Sequence, residues 1–173
     1  MAGLRTWSLG SALSRRPVAS WADVEGEAPD LAARARGYLD AHVHKTLATL
    51  RRDGSPRISG TELTVAHGDL WIGSMLGAVK ALDLRRDPRF ALHSGSDDPP
   101  GWNGDAKVAG RAEEVDDDEQ KASIRNEGEP AGDSHLFRLD VTELVVVGLN
   151  EARDRMVIES WHEGRGVERR ERT

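Results

Sequence analysis

Apolar residues recur along this chain in two rhythms, and the change between them divides it. From Asp30, the positions Leu31, Ala32, Ala35, Tyr38 and Leu39 return at helical spacing. Asp30 follows Pro29 and is suited to capping, so the pattern predicts a helix over about Asp30–Ala41. Upstream, Ser20 offers an N-cap with Asp23 three residues on, an approximate capping box. Beyond it the period shortens. His44–Leu50 is a short β-branched run followed by the turn residues Asp53-Gly54-Ser55-Pro56. Arg57–Val65 and Leu70–Ser74 come next, parted by His67-Gly68-Asp69, and the three runs predict an antiparallel meander. Ala78–Arg86 predicts a helix that Asp87-Pro88 stops, and Arg89–Ser94 a fourth strand.

Ser94–Gly104 is dense in Gly, Asp and Pro and reads as a loop. Asp105–Val115 alternates as a fifth strand, and Asp116–Arg125 reads as a short polar helix or turn. Leu136–Val141 and Glu143–Leu149 form one nearly continuous strand region, hairpinned through Asn150–Asp154 to a last strand over Arg155–Trp161. The expected organisation is a loose segment over 1–19, one domain over 20–163, and a charged tail over 164–173. Six or seven short strands with an N-terminal helix, and a helix inserted after the third strand, predict a mainly β (α+β) fold. Its form is a small closed antiparallel barrel, because strand and helix do not alternate as parallel crossovers require.

Composition removes several function classes. In 173 residues, 30 acids against 24 bases give a net charge of −6, which disfavours a general nucleic-acid binder. Zero cysteines exclude disulfides, zinc–cysteine sites, iron–sulfur clusters and thiol nucleophiles. No apolar run approaches the ~20 residues of a spanning helix. Arg15-Arg16 is followed by Pro17 and then acids, without the apolar core of a secretory signal, so a cytoplasmic protein is expected.

The chemistry concentrates in Leu70–His93. A strand ends in Gly73-Ser74, a glycine-containing turn follows, and a helix begins whose first turn holds Lys80. Free N–H groups at a helix start, a hydroxyl and an ammonium converging on one point suit a phosphate or another anion. Taken alone the arrangement is common, and a solvated Lys80 is the plainer reading.

The order DGSPR, a strand, GDLWIGS and then GAVKALDLRRDPRFALH resembles the pyridoxamine 5′-phosphate oxidase-like superfamily of flavin- and deazaflavin-binding split β-barrels. The resemblance runs from about His42 to Val115, with later strands compatible through Trp161. It implies a homodimer of split barrels with two cofactor sites at the interface. The cofactor is flavin mononucleotide (FMN) or the deazaflavin coenzyme F-420, with haem less favoured. It also implies hydride transfer to a small organic substrate. A non-catalytic or haem-binding ligand carrier is the alternative.

Position by position, the resemblance puts Ser74, after Gly73, at the hydroxyl that meets the cofactor phosphate, and Lys80 at the second basic position. Val79 stands where the family has its first basic residue. The family's second-strand arginine falls near Ser59, or on Arg57 if the register slips by two. Ring contacts are expected from the backbone of Arg57, Ile58, Ser59 and on to Thr61, and from Asp105 in place of a glutamine. Each charge-assisted contact missing from the phosphate clamp removes about 1.5–3 kcal/mol. The ring carries the hydride chemistry, so no catalytic triad is required. His93 and Asp105 are the nearest candidates for a general acid.

Other features have plainer accounts. His42 and His44 could form a ligand pair on one strand, but a helix end followed by a strand start is favoured. Trp71 and Trp161 read as core or interface residues, and Trp102 as either a ring cover or a loop anchor. Asp116–Glu119 is suited to a helix N-terminus rather than a metal. Arg85-Arg86 reads as a solvated face, though basic groups on this helix could meet an anionic cofactor tail.

Overall fold

The computed structural model describes residues 19–124 and 134–173. All but Ala19 of the loose segment expected over 1–19, and the end of the helix expected to reach Arg125, lie outside these residues. Ala19 is itself docked: its carbonyl accepts the Val141 N–H at 2.9 Å.

Two helices open the fold, α1 (Trp21–Glu27) and α2 (Pro29–Ala41). The capping box is present in full: Ser20 Oγ accepts from the Asp23 N–H at 3.1 Å, and Asp23 accepts from the Ser20 N–H at 2.8 Å. Helix α2 buries Leu31, Ala32, Ala35 and Leu39 against the sheet. The strands are β1 (His44–Leu50), β2 (Pro56–Glu62), β3 (Thr64–Ala66), β4 (Asp69–Met75), β5 (Arg89–His93), β6 (Gly104–Val115), β7 (Ser134–Leu149), β8 (Met156–His162) and β9 (Gly166–Arg172). Helix α3 (Val79–Arg86) sits between β4 and β5, and α4 (Asp118–Ile124) follows β6. No helix among the described residues is long and apolar enough to cross a membrane.

The sheet is antiparallel throughout and runs β2-β1-β5-β6-β7-β4-β3, with β8 and β9 branching from β7. The branch exists because β7 is long: its first half pairs β4, its second half pairs β8, and β6 runs along both. Trp21, Leu47, Leu70, Ile72, Phe137, Leu139, Leu144 and Trp161 fill the interior. Trp71, Ile124 and Leu136 form a second cluster under α4. Trp71 and Trp161 are thus core residues, each with its indole N–H satisfied, by the Ala66 carbonyl and by Glu27 respectively.

Three expectations are corrected. The sheet is a split barrel but is not closed by a continuous ladder. The run predicted as one strand over Arg57–Val65 breaks at Leu63, so β2 pairs only β1 while β3 pairs β4. The chain itself, rather than a row of hydrogen bonds, joins the two edges. The charged segment after Gly164 is β9, paired along its whole length to β8. Its mixed Glu and Arg residues suit an edge strand, where charge discourages further pairing. Among the described residues nine strands therefore stand where six or seven were expected.

The register of β6 against β7 shifts between Ala109 and Gly110. At Gly110 the neighbouring backbone comes so close that an added Cβ would lie 1.8 Å from the Asp140 carbonyl oxygen. Only glycine fits there. Gly110→Ala is expected to destabilise the protein by about 3 kcal/mol or more, through overpacking against backbone that cannot yield. Urea denaturation of the variant checks this, and a midpoint equal to the parent's would contradict the close approach.

Candidate functional site

The centre of the site is the passage from β4 to α3. Along β4, Leu70 and Ile72 point inward, and alternation puts Ser74 on the same face. Its register partner on β7 is His135. The Ser74 hydroxyl oxygen is buried and has no hydrogen-bond partner among the described residues, an arrangement that costs about 1–3 kcal/mol unless a ligand supplies one. After β4 the chain turns through Gly77, whose φ of +72° suits glycine, and enters α3 at Ala78. No side chain caps α3, so its first N–H groups are left for another acceptor.

Lys80 lies in the first turn of α3 and donates to the Gly60 carbonyl at 2.7 Å. Burial pushes its ammonium below the ordinary lysine range, and the nearby Glu62 carboxylate opposes that shift. The lysine is therefore a half-buried cation held by one neutral acceptor. An anion at the helix start would add a hydrogen-bonded counter-charge to the more distant one of Glu62.

Arg57 does not turn toward this point. Its Nε donates to Asp83 Oδ2 at 2.6 Å, and the Asp83 side chain is only 4% exposed. The same carboxylate accepts from Thr49 Oγ1 at 3.1 Å and from Arg86 Nη2 at 2.9 Å. Burial pushes the Asp83 carboxyl up, but hydrogen bonds from Arg86, Arg57 and Thr49 outweigh it and hold the group below the usual carboxylate range. Arg86 also donates to the Leu50 carbonyl. Arg85 pairs with Glu114 at 2.9 Å, and both arginines of that pair are exposed, as a solvated face requires.

A second buried polar group joins the turn to β7. The Gly77 N–H donates to His135 Nε2 at 3.3 Å, which leaves Nδ1 to carry the proton donated to Glu114 Oε1 at 2.6 Å. His135 stacks on Phe137, with ring centroids 6.1 Å apart. Neither the Asp83 cluster nor His135 was visible in the sequence. Asp83 is an acid between two leucines of a helix, and nothing local shows that Arg57, far upstream, will reach it.

Across the open face of β2-β1-β5-β6 the remaining candidates form a row. Gly60 is in register with Thr46, and Thr46 with His93. His93 Nε2 lies 3.4 Å from Asp105 Oδ1, a buried oxygen that makes no well-aligned hydrogen bond. Three strand spacings separate Gly60 from Asp105, roughly 15 Å. Gly60, Thr46, His93 and Asp105 therefore share one strip of the sheet, and Lys80 meets its β2 edge at the Gly60 carbonyl. Ser59 shares the Arg57 side of β2, whereas Ile58 points the other way and is 72% exposed. Val79 is half exposed and brings no charge.

The remaining candidates take the plainer roles. His42 ends α2 and His44 begins β1. The Trp102 carbonyl accepts from Arg153, which ties down the 94–104 loop. Asp117 accepts from the Gln120 N–H at the start of α4, and Asp118 and Glu119 occupy its first turn.

The family model for pyridoxamine 5′-phosphate oxidase matches residues 31–148. Among solved structures, a pyridoxamine 5′-phosphate oxidase-related, FMN-binding protein from Nostoc punctiforme is 14% identical. The match has a TM-score of 0.57 and covers 87% of this chain and 96% of that one. A haem-binding protein from Mycobacterium smegmatis is 16% identical with a TM-score of 0.58, over 82% of this chain and 87% of the other. A conserved hypothetical protein from Mycobacterium tuberculosis is 22% identical with a TM-score of 0.56, over 65% and 81%. At these identities the likeness to solved structures is one of fold. No curated protein matches the chain.

Two outcomes follow from the geometry. Ser74→Ala removes a buried hydroxyl with no partner among the described residues, so the ligand-free protein should gain about 1 kcal/mol or more in urea denaturation. Asp83→Asn should cost about 3 kcal/mol at neutral pH, because two arginines lose their shared counter-ion. The folded Asp83 carboxyl titrates below the ordinary value of 3.8. Its contribution is therefore complete above that pH and is lost as the pH falls through the lower folded value. A denaturation series from pH 7 to pH 2 should show a shallower acid-side loss in the variant than in the parent.

Proposed function

The chain belongs to the pyridoxamine 5′-phosphate oxidase family, and from that premise we propose that it is a redox protein working with a flavin or deazaflavin at an interface between two copies of itself. The reading rests above all on the unpartnered Ser74 hydroxyl buried beside the uncapped start of α3. A polar oxygen left so inside a protein calls for a ligand acceptor or donor. The residues present suit the phosphate end of such a group. Ser74 donates its hydroxyl proton, the first N–H groups of α3 donate alongside it, and Lys80 supplies the positive charge. The β2 backbone and Asp105 border the strip on which a ring system would lie. When bound, the cofactor supplies the hydride acceptor, and the protein's share is to hold and orient it and to keep water from one face.

Pairing of two copies is supported by what the strip exposes. Thr46, Ala48, Gly60, Ala91 and Ala109 make a face of small side chains that is open to solvent in one chain. Nearby, Ile58, Met75, Leu76, Val79 and Leu82 expose large apolar side chains. An apolar rim around a polar pocket is the pattern of a covered site. The reading expects an interface above about 1,000 Å² and twice the monomer mass in light scattering.

A second reading, a haem carrier without catalysis, is favoured by Val79 and by the engagement of Arg57 with Asp83, which together thin the phosphate clamp. Titration of the purified protein with FMN, deazaflavin and haem in turn, followed by visible absorption, separates the two. Saturable flavin or deazaflavin binding is expected, and Lys80→Ala should weaken FMN by at least tenfold, about 1.4 kcal/mol. An unchanged affinity in that variant rules out the phosphate site. Saturation by haem alone overturns the redox reading.

A further inference from the structure

We infer that Asp83 sets the charge preference of this site, by holding Arg57 as its own ion pair so that the pocket receives a dianionic phosphate with little help from that arginine; the inference rests on the reading just given. Arg57 is the cation on β2 that faces α3, and its side chain is only 22% exposed. A guanidinium so placed is a ready ligand for phosphate oxygens. Here its Nε is already spent on a buried carboxylate at 2.6 Å. The carboxylate is in turn locked by Thr49 and Arg86, so it cannot swing out to release its partner. Seen from the start of α3, one turn away, Arg57, Arg86 and Asp83 together present one net positive charge in place of the two that the arginines would bring alone. Even donors of Arg57 that remain unused would approach an anion with Asp83 at their back.

The consequence concerns selectivity. A pocket with Ser74, backbone N–H groups and one lysine distinguishes poorly between a flavin that carries the terminal phosphate and one that lacks it. Restoring the arginine's free charge should sharpen that distinction. Replacing Asp83 by asparagine removes the negative charge, which raises the local charge by one unit; its single amide oxygen keeps an acceptor for Arg86, while the oxygen that Thr49 and Arg57 share is replaced by a donor. Because Asp83 is uncharged in that variant, any gain should act on the phosphate alone and leave the ring contacts as they were.

The test compares FMN with riboflavin by fluorescence titration on four full-length proteins: the natural chain, Asp83→Asn, Arg57→Gln and the double variant. Asp83→Asn is expected to tighten FMN by at least fivefold and to change riboflavin by less than twofold. Arg57→Gln alone should change FMN by less than threefold, and in the double variant it should erase the gain. Thermal melts report whether each variant folds. Should Asp83→Asn fail to fold, Arg57→Gln decides by itself: a loss of FMN affinity of tenfold or more overturns the inference, and a loss under threefold upholds it. An FMN-to-riboflavin ratio that Asp83→Asn leaves unaltered, in a protein that does bind FMN, sinks the inference while the cofactor reading stands. Absence of flavin binding in every form removes both.

Discussion

A carboxylate buried in a protein interior has to be neutralised where it stands, and Asp83 meets that requirement with groups from three elements. Thr49 comes from β1, Arg57 from β2 and Arg86 from α3 itself. The energetic demand is steep, because an unpaired buried charge costs several kcal/mol, so the partners cannot drift independently. The helix inserted after β4 is thereby fastened to the first two strands in one orientation. Everything at the candidate site inherits that orientation: the turn at Gly77, the uncapped start of α3, and the position from which Lys80 reaches the Gly60 carbonyl.

The site itself has the character of an anion pocket only partly provided for by the chain. One hydroxyl has no partner, one lysine is held by a neutral carbonyl, and one arginine is tied to an acid. Each is locally unfavourable or locally neutral, and the lysine meets the β2 edge of a strip of small residues that crosses four strands. Such a strip gains little by staying in water and offers a flat bed for a planar group or a second copy. The buried His135 plays a different part. Its two ring nitrogens are both engaged, one by the turn and one by Glu114, and so it holds the turn still rather than offering a proton to a ligand.

Strand and helix positions were legible because they are written locally. Period-two alternation, turn residues and prolines marked β1, β4, β5, β6 and α3 to within a residue or two. The capping box at Ser20 and Asp23 could be read for the same reason, since both partners sit within one turn. The anion-site residues Ser74 and Lys80 stood out through their spacing around a turn. The split at Leu63 and the pairing of the charged C-terminal strand had no such mark. A strand that changes partners keeps its alternation, and a run of Glu and Arg looks the same paired or free.

The sequence by itself determined the elements, their order, an antiparallel mainly β class, and a hydroxyl and a lysine flanking a helix start. Tertiary structure alone decided which charges are available. Whether Arg57 reaches a ligand or an internal acid depends on a partner 26 residues away. Whether the Ser74 oxygen is satisfied depends on a facing strand sixty residues on. The physical reason is that backbone preference and periodicity act over a few residues, whereas electrostatic pairing and burial are settled by neighbours in space.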